Sequence, residues 1–289
     1  MTDSDATDEP TLIARRFWQL IEPLHAITYF APESADAMVR LGLKGFWMGY
    51  FAGRAAPMGA VGAGMVEATF ANFAPVLVRR AIPESWARTT PEVVLVARRD
   101  AAATVLRRVI PNVETEAGRV VPLLSSVVRS ARADGRPLFA ANRDVPLSDD
   151  PVEALWQCCT TLREHRGDGH VAAQVAHDVS GLDAHLLLGM PTEMLGPVRG
   201  WTPDECGAAI DGLHQRGLLE LDGSRTDAGR ELRRVIESET DVAAAHAWND
   251  GLTEAGIDLL PGLLRPLASA ISSAGILPFP NPIGLPDAT

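Results

Sequence analysis

Lysine is nearly absent from this chain: Lys44 is the only one among 26 cationic residues, and arginine supplies the rest, a high-GC coding bias with no mechanism of its own. Cysteine is scarce as well. Cys158 and Cys159 are adjacent and Cys206 stands alone, so no Cys-x-x-Cys spacing occurs, which excludes a disulfide framework and a zinc ribbon. Together with the lack of an N-terminal signal segment, this points to a reducing cytoplasm. Long apolar runs are missing too: the longest, residues 55–66, ends at Glu67 after about a dozen residues, against the roughly 20 that a membrane span needs. There is no Gly-x-Ser-x-Gly, no Walker sequence and no Gly-x-Gly-x-x-Gly after a strand, so no cofactor or nucleophile fingerprint is present. The spaced glycines of GAVGAGMV, residues 59–66, have no preceding strand.

What is present is enough apolar material for a sizeable core: 46% of 289 residues, suited to one large or two ordinary domains. The net charge of −11 is unevenly placed. Residues 1–150 carry 17 cationic and 17 anionic side chains, whereas residues 151–289 carry 9 and 20, so the acidic excess lies wholly in the second half.

The pattern is helical almost throughout. Residues 1–10 are polar and acidic and read as a disordered tail. Leu12, Ile13, Phe17, Leu20 and Ile21 recur at helical spacing until Pro23, which is expected to interrupt or kink the helix. Small-residue segments from Ser34 to Tyr50 and from Pro57 to about Phe73 read as closely packed helices, with further helices after the Thr90 cap and from about Glu116 to Arg132. Residues 133–150 hold turn formers without period and read as a linker between an N-terminal helical domain, 11–132, and a second domain, 151–250. There, Ser148 or Asp149 caps a helix with Pro151 at its first position. That helix carries Val152, Leu155, Trp156, Cys159 and Leu162 as one stripe and is expected to break at Arg166-Gly167. Thr202-x-x-Glu205 is a capping box opening a helix that ends at Gly217. LLELDGSRT then reads as a minimal β-hairpin around Asp222-Gly223, and a helix from Asp227 to about Glu239 follows. Residues 251–289 read as helices and a Pro-rich tail, ILPFPNPIGLP, lying extended across a surface. The fold class is mostly α, an N-terminal helical bundle packed on a winged-helix-like domain, expected as a homodimer.

The stretches EPLHAITYFAPE, GYFAGRAAPMG, ATFANFAP, LREHRGDGH, RGW and RGLLELDGSRTDAGRELRRVIESETD resemble an actinobacterial family of largely uncharacterised helix-turn-helix proteins, loosely MarR-like. The likeness runs from about residue 12 to residue 283 and implies a winged helix in the C-terminal half, but little chemistry. His246 in AHAW departs from the proline expected before the tryptophan.

A DNA-reading helix needs cations for phosphates and Arg, Lys, Asn or Gln for base edges. TPDECGAAIDGLHQRG instead offers Asp204, Glu205 and Asp211 against a terminal Arg216, and the hairpin offers only Arg225. The stretch GMPTEMLGPVRGW ahead of it also exceeds the 3 to 4 residues of a usual turn. DNA binding is disfavoured on these grounds.

The polar residues are concentrated elsewhere. LREHRGDGHVAA, residues 162–173, reads as a charged junction at which Glu164, Arg166 and Asp168 pair with one another and with the first half, Asp168 capping the helix that follows. His170 and His177 are about 10.5 Å apart along a helix, too far to share a metal. A glycine-rich turn through His165, Asp168 and His170 is spatially easier as a ligand set, but short loops of this kind more often cap helices, so it is a weak candidate and no metal is assigned. In the first half, isolated polar groups stand in apolar helices: His25, Tyr29, Arg54, Glu67 and Asn72. Arg54 with Glu67 is the simplest structural pair. The functional expectation is a cytoplasmic small-molecule-binding protein whose pocket lies between the halves, lined by Phe30, Phe46, Trp47, Tyr50, Phe51 and Phe70. Its polar contacts would be His25, Tyr29, Arg54, Glu67, Asn72, His165 and His170. The alternatives are a ligand-responsive transcription regulator and an acid-base enzyme using His25, Glu67 or His170.

Overall fold

A computed structural model describes residues 9–279, 281 and 283–285. The tail predicted over residues 1–10 lies outside them except for Glu9 and Pro10, which are already helical. The described residues form α1 (Glu9–Phe30), α2 (Pro32–Arg40), α3 (Gly45–Ala55), α4 (Ala63–Thr69), α5 (Pro75–Ala81), α6 (Pro91–Val109) and α7 (Val113–Ser130). They continue with α8 (Pro137–Arg143), α9 (Pro151–Ala176), α10 (Gly181–Leu188), α11 (Thr192–Arg199), α12 (Pro203–Gln215), α13 (Asp227–Gly251) and α14 (Glu254–Ser273). Among the described residues no helix is long and apolar enough to cross a membrane.

Local chemistry starts many of these helices. Thr90 accepts from Val93 N, Ser180 and Asp183 form a reciprocal box, and Thr202 with Glu205 forms the box read from the sequence. The cap of α9 is Asp150, one residue beyond the predicted pair, accepting from Val152 N and Glu153 N. Pro23 does not end α1, because Phe17, Ile21, Leu24 and Ile27 on both sides of it are buried in one core. That burial outweighs the roughly 3 kcal/mol cost of an interior proline.

Three larger departures from the sequence reading matter for the site. First, α9 does not break at Arg166-Gly167 but runs for 26 residues, buried against α1, α6, α7, α8 and α13. At Gly169 a Cβ would lie 2.5 Å from Arg136 Nη1, the far end of a side chain that reaches over to donate to His165 O, so a larger residue there would displace that guanidinium. Second, residues 133–150 contain α8, and Asp168 caps that helix rather than the one after it, accepting from Phe139 N at 2.9 Å. Third, the long stretch before α12 contains α11, leaving Gly200, Trp201 and Thr202 as a three-residue turn between α11 and α12. This is helix-turn-helix spacing, so the length objection to such a unit falls.

The β-hairpin wing is not formed. Among the described residues there is no strand, only an isolated bridge between Leu219 and Arg225 around the turn at Gly223. Thr226 is already committed to capping α13 through Gly229 N, so the return segment is too short for a ladder.

Among the described residues three apolar cores result. The largest gathers α1, α6, α7, α9, α13 and α14 and includes Leu277 and Leu285 of the tail, where Asn281 brackets Leu285 with two hydrogen bonds. A second lies beneath α3 to α5, and a third packs α10 to α12 on Ile236 of α13. The second and third meet where Gly181 opens α10: a Cβ there would lie 2.0 Å from Ala71 O, so only glycine permits this contact.

Candidate functional site

The helix α9 carries Arg163, Glu164, Arg166, Asp168 and His170 past the middle of α1 and α13 and the C-terminal end of α3. Because a helix repeats every 3.6 residues, these side chains leave in several directions and collect partners from each neighbour. Glu164 is the centre. Arg54 of α3 donates to it through Nε at 3.1 Å and through Nη2 to both oxygens, at 2.9 and 2.8 Å, while Arg163 Nη1 donates at 3.0 Å. Arg54 Nη1 also reaches Tyr50 OH at 3.2 Å, and its guanidinium lies 4.3 Å above the Phe70 ring. Burial alone would push the Glu164 carboxyl up; the two guanidinium groups override it and hold it down to about 2. Arg163 Nε reaches Glu22, which also accepts from Trp18 Nε1. On the next turns of α9, Arg166 pairs with Glu237 and Asp241 of α13, as does Arg15 of α1.

Two cavities flank the Arg54–Glu164 pair, and Tyr50, Arg54 and Glu164 line both. The first, about 250 Å³, is a charged cleft between the helix-turn-helix segment and the first third of the chain. Phe70 and Asn72 contribute from one side, and His170, His185, Arg199 and Glu237 from the other. Asn72 Oδ1 is buried in it without a hydrogen-bond partner. His170 is fixed by Thr240 Oγ1 at 3.0 Å and Gln174 at 2.9 Å, and burial lowers it to about 4, so it is neutral at physiological pH. His185, beside Arg199 and Asn72 O, is lowered to about 4, chiefly by burial and then by the Arg199 charge. The second cavity, about 200 Å³, is more apolar and holds His25, Tyr29, Phe46, Arg98, Trp156 and Thr160. There His25 bridges Thr160 Oγ1 at 3.0 Å and Tyr29 OH at 2.8 Å, and burial keeps it far below the usual histidine range.

The candidates read from the sequence therefore divide. Tyr50 and Arg54 stand at the shared wall, Phe70, Asn72 and His170 in the cleft, and His25 and Tyr29 in the second cavity. Trp47 belongs to an aromatic cluster with Tyr50, Phe51 and Phe73 and lines neither, and Phe30 packs against the main core. Glu67 is not the partner of Arg54: it forms a surface pair with Arg79, at 2.7 and 2.9 Å. His165 points away, edge-on to Phe139 at 4.8 Å, and burial lowers it to about 3. The proposed acid-base set of His25, Glu67 and His170 is thus spread over two cavities and the surface. Among the described residues no three His, Cys, Asp or Glu side chains converge as a metal site, so His165, Asp168 and His170 do not form the weak ligand set considered above.

Sequence reasoning placed Glu164 in the charged junction but not in the site, and it passed over Glu22, Arg98 and Trp156. Their signal was faint: a glutamate next to Pro23, an arginine in an ordinary amphipathic helix, and a tryptophan on a stripe that reads as core.

In α12 the exposed side chains include Asp204, Glu205 and Asp211. Its terminal Arg216 is occupied by the carbonyls of His177 and Asp178. The electrostatic objection to DNA reading stands where the length objection fell. No curated protein and no solved structure matches this chain. A family model described as a helix-turn-helix family matches residues 14–278.

Proposed function

The chain belongs to this helix-turn-helix family, and from that premise we propose that it is a cytoplasmic small-molecule-binding protein on a helix-turn-helix scaffold without a wing, its ligand held in the cleft between the helix-turn-helix segment and α3 to α5. The observation that carries the reading is the buried, unpartnered Asn72 Oδ1 in a cleft whose other wall is the Arg54–Glu164 pair. An acceptor left unpaired in a buried site costs about 1–3 kcal/mol, which a ligand donor would recover. The cleft also holds Arg199 and Arg233, so the fitting ligand is a polar molecule with an N–H or O–H for Asn72 and an anionic group for the arginines. Mass spectrometry of the protein as purified, followed by thermal-shift screening of anionic metabolites, tests this. A compound that raises the melting temperature of the wild type but not of Asn72→Ala supports it; no such compound across a broad panel removes it.

The family itself favours a second reading, a ligand-responsive transcription regulator. Helices α10 and α11 line the cleft through His185 and Arg199, so a ligand there would touch the helix-turn-helix unit directly. Against it stands the acidic exposed face of α12, which repels phosphates.

A further inference from the structure

Arg98 is 4% exposed and Trp156 1% exposed, and both line the second cavity. The Arg98 guanidinium is held only by neutral acceptors: Gly53 O at 2.9 Å, Asn142 Oδ1 at 3.1 Å and Gln157 Oε1 at 3.3 Å. Its Nε has no partner, and neither has Trp156 Nε1, although the guanidinium lies only 5.3 Å from that ring. A buried guanidinium is normally matched by a carboxylate, as Arg54 is by Glu164. Burial without such a partner pulls Arg98 down to about 10. Two orphaned buried donors, on two residues that line one cavity, call for an acceptor carrying negative charge.

The rest of the cavity describes the body of that acceptor. Met38, Val39 and Phe46 line it, and Val39 and Phe46 are exposed at its rim, an apolar entrance. Gly45, Gly49 and Gly53 of α3 form another part of the wall. At Gly49 the missing side chain is explained by α2, since a Cβ would lie 2.8 Å from Met38 Cβ. At Gly53 a Cβ would meet nothing within 4 Å, so that glycine leaves space unfilled. A volume of about 200 Å³ lies below the roughly 300 Å³ at which drug-sized pockets begin. The occupant is small.

We infer that this cavity binds a small monocarboxylate with an apolar body, its carboxylate accepting from Arg98 Nε and Trp156 Nε1 and its body lying along the glycines of α3 towards Phe46. The site is separate from whatever occupies the cleft, and its test reads Trp156 directly. Calorimetric titration of the full chain with octanoate is expected to saturate, with octanol and octylamine binding more weakly. Trp156→Phe keeps an aromatic ring, though a smaller one, and removes one donor, and is expected to weaken octanoate about tenfold. Gly53→Leu, which fills the open space, is expected to abolish binding. In an isotope-labelled sample, the indole N–H resonance missing from Trp156→Phe is expected to shift as octanoate is added. Failure of octanoate to bind, equal affinity for octanol, undiminished binding in Gly53→Leu, or an unmoved Trp156 resonance at saturation would each overturn the assignment, leaving ordered water as the acceptor.

Discussion

Arg54 grips both carboxylate oxygens of Glu164, a residue 110 positions away, and thereby ties α3 to the middle of the longest helix in the fold. Glu164 also pairs with Arg163, so its loss leaves Arg54 without a carboxylate and Arg163 with Glu22 alone. Glu164→Ala is expected to destabilise the protein by roughly 3–5 kcal/mol in urea unfolding, the usual consequence of breaking a buried pair. Arg79→Ala, which breaks the exposed pair with Glu67, is expected to change nothing measurable. Equal effects of the two would show that burial does not set the strength of the Glu164 pair.

Stability is expected to rise with pH between about 4 and 6.5. His25, His165, His170 and His185 are buried and resist protonation, so the unfolded chain binds more protons in that window and acid favours unfolding. Asp168 acts in the opposite sense. Burial raises its carboxyl to about 7, so the folded state holds the extra proton and loses stability as pH climbs from about 4 to 7. Burial raises the Glu22 carboxyl too, so four histidines stand against two carboxyls and decide the net sign. Asp168→Asn, which retains an acceptor for Phe139 N, is expected to steepen the rise and to stabilise the protein above pH 7. Denaturant unfolding across a pH series checks both slopes.

Gly181 is expected to be the more sensitive of two helix glycines. Gly181→Ala forces a Cβ into the Ala71 carbonyl and is expected to cost about 1–3 kcal/mol, loosening the seam between the helix-turn-helix segment and the first third of the chain. Gly207→Ala, on the exposed face of α12 with nothing near it, is expected to gain up to about 1 kcal/mol from helix propensity. Melting temperatures of the two variants settle the comparison.

No salt-dependent binding to duplex DNA is expected for the wild type at low ionic strength, because α12 exposes Asp204, Glu205 and Asp211 and offers no free cation. Asp204→Lys with Asp211→Lys is expected to gain weak affinity that salt abolishes. Sequence-selective binding of the unaltered chain to its own upstream DNA in a fluorescence anisotropy assay would instead establish the regulator reading.

The legible parts of the fold were those governed by neighbours in the chain. The Thr202 and Glu205 box and the Thr90 cap are hydrogen bonds that close within three residues, so the residue types and spacing suffice to read them. The candidate residues Arg54, Asn72, His25 and His170 were legible as polar groups in apolar surroundings, since burying them demands partners or a cavity. Local rules erred where distant contacts overrode them: Pro23 and the two glycines near Asp168 look like helix breakers, yet core packing on both sides carries α1 and α9 straight through.

By itself the sequence determined a helical chain with defined caps, a large apolar core and an acidic second half, because those properties follow from composition and from contacts a few residues apart. Only the tertiary structure decided that Arg54 answers Glu164 rather than Glu67, that Asp168 caps α8, and that the expected single pocket is two cavities sharing one ion pair. The reason is geometric. Which charges pair, and which donors such as Arg98 Nε are left without a partner, depends on how helices from distant parts of the chain are brought together, and no local spacing encodes that.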